Sequence, residues 1–146
     1  MSKTIRSPIF LLQLILVAAP ITLLAALVGV VTLDQEKGYA HIALLIAGVG
    51  LIGFWTVSFR FLLEGAEGAM DAHPAFWAAA IAGAALALSA PIAFLLFPSP
   101  SSGFQGFFGV AGCGVPLLIP LGHVVYAILG RKADKSFKPK PLDGSA

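Results

Sequence analysis

Residues 107–129 read FFGVAGCGVPLLIPLGHVVYAIL. The run contains no formally charged side chain and as one helix would be about 35 Å long. That exceeds the roughly 30 Å of hydrocarbon in a bilayer. The stretch therefore predicts a membrane span, but an irregular one. Pro116 and Pro120 each remove a backbone donor, Gly109, Gly112 and Gly114 lower helix propensity, and His123 is an ionisable group in an apolar setting. Arg131 and Lys132 close it with positive charge.

Three further apolar runs, at 9–33, 40–63 and 74–97, have the same character. Hydrophobic residues make up 58% of the 146-residue chain and charged residues 11%, whereas soluble domains carry about 25% charged residues. Four spans leave no room for a soluble domain. The expected fold is an all-α integral membrane protein, a compact bundle of four transmembrane helices over residues 1–130. A flexible basic tail, 131–146, is expected to follow. The N-terminal run is too long for the apolar part of a signal peptide, and no small-residue cleavage site follows it. The single Cys113 excludes an internal disulfide or a CxxC pair.

Charge placement gives an orientation. With these spans, Lys3, Arg6, Arg60, Arg131, Lys132, Lys135, Lys138 and Lys140 share one side with both termini, and only Lys37 lies on the other. The positive-inside rule then puts both termini in the cytoplasm, with a bacterial inner membrane as the expected location. The basic tail residues Arg131, Lys132, Lys135, Lys138 and Lys140 are expected to lie against anionic lipid.

Within the spans, Pro20 should bend the first helix near Val17–Pro20, with Thr22 or a neighbouring helix satisfying the freed carbonyl. Ala43, Ala47, Gly50 and Gly53 can line one side of the second span. Ala79, Gly83 and Ala87 repeat along the third, which should pack most closely, because small residues let membrane helices approach. The 64–73 connection carries Glu64, Glu67, Asp71 and His73. If the second span continues as a helix past the surface, Arg60, Glu64, Glu67 and Asp71 share one face, a candidate cytoplasmic interaction surface. Gly65 and Gly68 weaken that continuation.

The candidate intramembrane polar site is His123 with Pro116, Pro120 and Ser58. Gly112, Pro116 and Pro120 recur every four residues and could line one face of a broken helix, whose exposed carbonyls some transporters use to hold ions. His123 is either a packing histidine bonded to Ser58, Thr56 or a freed carbonyl, or a ligand or proton relay. No acidic residue lies within a span, and no HExxH, phosphate-binding loop, dinucleotide fingerprint or serine elbow occurs. The expectation is a small non-enzymatic accessory or protein-binding subunit with no cofactor, no bound metal and no nucleic-acid partner. Its partner would be another integral membrane protein or a second copy. The alternatives are an immunity protein that neutralises a membrane-acting toxin, by analogy of architecture alone, and a small oligomeric transporter or channel.

Overall fold

The computed structural model describes residues 8–35, 39–96 and 111–137, nearly all of them helical. Four segments are long and apolar enough to cross a membrane: Pro8–Val31, His41–Glu64, Pro74–Ala93 and Ala111–Arg131. The chain is an all-α, multi-pass membrane protein. The first span is α1 (Pro8–Gln13), a π-helical turn (Leu14–Ala18) and α2 (Ala19–Gln35). The second is α3 (Tyr39–Glu64), followed by a short α4 (Ala66–Met70), and the third is α5 (Pro74–Leu96). The fourth begins with a helical turn at 111–113, passes through a 3₁₀ turn (Val115–Leu117) and continues as α6 (Leu118–Phe137). The expected starts of the fourth span at 107 and of the loop at 98 lie outside the described residues, as do Lys138 and Lys140.

Lipid supplies no hydrophobic contrast between helices, so close contact must come from shape. The α3–α5 pair is the most extensive contact in the molecule, and its seam is built from the small residues that the sequence puts there. A methyl group added at Gly50 would lie 2.6 Å from the Gly83 Cα, and one at Gly53 would lie 2.5 Å from the Phe76 carbonyl oxygen. α3 is also the central span, with 33% of its membrane window buried against 12–17% in the others.

Pro20 acts at the near edge of the expected bend, over Leu14–Ala18, which overlaps Val17–Pro20. Lacking an N–H, it cannot close the bond to the Leu16 carbonyl. The helix widens into the π-helical turn at Leu14–Ala18, where the Ala19 N–H bonds to the Leu14 carbonyl. Thr22 Oγ1 donates to the Ala18 carbonyl at 2.7 Å and accepts from Trp55 Nε1 at 3.1 Å. The threonine thus ties the first span to the second rather than serving the carbonyl that the proline frees.

Two elements differ from expectation beyond the membrane ends. The tail does not begin as a flexible arm: α6 runs through Phe137. Good helix formers fill this stretch, and Pro139 is the first residue that disfavours continuation, acting on the residue before it. The second span, in contrast, stops at Glu64. Gly65 adopts φ 75°, ψ −157°, a conformation open in practice only to glycine, so the chain turns instead of extending.

Candidate functional site

The Gly65 turn decides the geometry of the 64–73 connection. Because α3 ends there, Arg60, Glu64, Glu67 and Asp71 do not form one continuous helical stripe. They lie instead on a folded cap. Ala66, Ala69 and Ala72 are buried in the core, and Trp77 Nε1 donates to the Ala69 carbonyl at 2.8 Å. Arg60 Nη1 donates to the Asp71 backbone carbonyl at 3.2 Å rather than to its carboxylate. His73 precedes α5 as its cap: its Nδ1 accepts from the Ala75 N–H at 3.3 Å, with Pro74 at the first helical position, where a missing donor costs nothing. Glu67 pairs with Arg131, Oε1 to Nη2 at 2.7 Å. That contact binds the cap to the end of the fourth span. Glu64, Glu67, Asp71 and His73 all retain exposed surface.

Beneath the cap is an aromatic cluster. Phe10 from α1 and Phe61 from α3 stack edge to face, with ring centroids 4.7 Å apart. The His123 ring lies 5.5 Å from Phe10 and 6.0 Å from Phe61. His123 is half-buried and makes its contacts through ring faces and edges; Thr56, one of its expected partners, donates instead to its own Ile52 carbonyl at 2.8 Å.

One turn deeper in each span lie Gln13, Ser58 and Pro120. Ser58 and Pro120 are fully buried, and among the described residues neither Ser58 Oγ nor Gln13 Oε1 has a hydrogen-bond partner. Thr22, Thr56 and Ser89 each return their hydroxyl to a carbonyl three or four residues back, but Ser58 does not. The structure therefore places Ser58, Pro120 and His123 at one end of the bundle. Pro116 sits apart in the 3₁₀ turn, and Gly112 is exposed. The expected face of Gly112, Pro116 and Pro120 fails to form because the fourth span breaks at Gly114–Leu117, which resets the register. Gln13 joins this layer, although its position in the sequence does not group it with Ser58.

All four spans meet around an apolar cavity of about 50 Å³, with Ala25, Gly50, Gly83, Ala87, Gly114 and Leu117 in its wall. His123 is not among its lining residues. Among the described residues no three histidine, cysteine or acidic side chains gather as a metal site.

These features define a class: a small four-span helical membrane protein with a folded, charged cap at one end. Comparison with protein-family models, characterised proteins and solved structures gives no match.

Proposed function

We propose that this chain is a small membrane-embedded accessory subunit that binds another integral membrane protein through its helix faces and its cytoplasmic cap. The observation that carries this reading is the order of the 64–73 connection. A short loop that only joins two spans needs no buried alanines, no indole bond and no ion pair to the fourth span. This one has all three, and it holds Glu64 and Asp71 at the surface in fixed positions. Packing of His123 against two phenylalanines and the apolar wall of the central cavity favour binding over conduction. The reading includes cytoplasmic termini in a bacterial inner membrane, for which the eight-to-one split of basic residues is the argument. A membrane-acting toxin is one kind of partner that such a surface would fit.

The test is a photoreactive residue at Ala75, exposed beside the cap, in native membranes, with carboxylate-neutralising changes at Glu64 and Asp71 as controls. A discrete heterologous membrane protein, captured only while the carboxylates are intact, is the expected result. Self-crosslinks alone, combined with ion or solute flux in liposomes containing only this protein, would overturn the reading in favour of a transporter. Reporters fused at both termini should register on the cytoplasmic side.

A further inference from the structure

The break in the fourth span has a second effect, at the edge of the core cluster against which Trp77 and Ile128 pack. At its start the span touches α5 closely: a methyl group at Gly114 would lie 2.9 Å from the Ala87 Cβ. After the 3₁₀ turn, α6 is redirected toward α1 and α4 and has little contact with α5. The divergence opens a groove of about 370 Å³ lined by Met70, Trp77, Val125, Ile128 and Leu129. Trp77 comes from α5, Met70 from the cap, and the other three from α6. The groove lies at the membrane boundary, since Arg131 ends the span two residues after Leu129.

The register of α6 identifies what fits there. Val125, Ile128, Lys132 and Lys135 follow 3-4-3 spacing and occupy one face of the helix, within about 80° at 100° per residue. The face that walls the groove is apolar in the membrane and carries two lysine positions in the next two turns. An apolar slot leading into cationic positions at the boundary matches the two ends of an anionic phospholipid. We propose that the groove binds one acyl chain of an anionic phospholipid, drawn from the leaflet next to the cap, with its phosphate at the Arg131–Lys135 turn. This goes beyond general attraction of the tail to the membrane surface, because it assigns one lipid to one groove. It does not depend on the identity of a protein partner.

Trp77 is the reporter. The Trp55→Phe protein has it as the only tryptophan, since the chain contains two, and the phenyl ring keeps the packing position beside Phe54 and Phe59. The full chain is reconstituted in phosphatidylcholine and titrated with phosphatidylglycerol or phosphatidylcholine brominated near the headgroup end of the chain. Phosphatidylglycerol should quench Trp77 saturably and at much lower mole fraction than phosphatidylcholine. Lys132→Gln and Lys135→Gln should each weaken this preference about fivefold, the equivalent of about 1 kcal/mol per basic residue near a membrane. Val125→Phe, which fills the groove, should abolish the saturable component. Should that variant fail to fold, Leu129→Phe replaces it at a more exposed position. Water-soluble glycerophosphoglycerol should not compete, which separates a lipid from a free phosphate ester. Equal quenching by both lipids, a saturable component that survives groove filling, or loss of that component on self-association of the protein would each overturn the proposal.

Discussion

At Ser58 the bundle buries a hydroxyl that bonds to nothing among the described residues. Burying an unpaired polar group costs on the order of 1–3 kcal/mol, and a serine in a helix can always recover part of that by bonding back to its own turn. Ser58→Ala should therefore leave the fold intact and raise thermal stability in detergent by about 1 kcal/mol. A loss of stability of that size would show that the hydroxyl is satisfied in the membrane, and would point to Gln13 or His123 as its partner. His123 differs in kind, because its contacts are with two rings. His123→Phe should melt within about 1 kcal/mol of wild type, as a volume-conserving swap does. His123→Ala should lose about 2–4 kcal/mol by opening a cavity beside the Phe10–Phe61 pair. His123→Phe should also leave partner capture unchanged while abolishing flux if the chain conducts ions. His123 was legible in the sequence as the one histidine within the fourth span. Its ring partners were not, since Phe10 and Phe61 lie in distant segments and only the packing of three helices brings them together.

At the scale of elements, small-residue spacing carried the most information. Gly50, Gly53, Ala79, Gly83 and Ala87 could be assigned to close helix contacts from the sequence, because only small side chains permit them. The α3–α5 seam tests that physics directly. Backbone lies where a side chain at either glycine would go, so the neighbouring atoms cannot move aside by changing a rotamer. Gly50→Ala and Gly83→Ala should each cost about 1–3 kcal/mol by overpacking, read as a lower melting temperature in detergent. Gly48→Ala, with open space around its Cα, should be neutral or stabilising, since alanine is the better helix former. Breaks in helices were less legible. Proline positions could be read, but whether a helix answers with a kink, a π-helical turn or a 3₁₀ turn depends on neighbours such as Trp55 and Ala87. Gly65 was readable as a weak point, whereas its left-handed φ required knowing that the cap must fold back over Phe61.

For the whole molecule the organising feature is the asymmetry of charge between its two ends, and the Glu67–Arg131 pair is where that asymmetry becomes structure. The pair joins the connection between spans two and three to the end of span four, so it closes the bundle across a large separation in sequence. Its side chains are 36% (Arg131) and 52% (Glu67) exposed, which places it with surface ion pairs worth below about 1 kcal/mol. Stability alone is therefore a poor measure of it, and the order of the cap is the better one. Glu67→Arg sets two guanidinium groups against each other and should loosen the 64–73 segment, seen as faster amide exchange and proteolysis there with little change in the global melting temperature. Arg131→Glu should do the same by placing two carboxylates together. The double exchange, Glu67→Arg with Arg131→Glu, should restore most of the protection, because the sign of the interaction is recovered while net charge stays at its wild-type value. The difference between single and double variants should shrink in 1 M salt, where screening acts over about 3 Å. If all variants protect the segment equally, the buried alanines and the Trp77–Ala69 bond hold the cap by themselves. The charged residues would then be available in full to a partner, and capture at the cap should survive both single reversals.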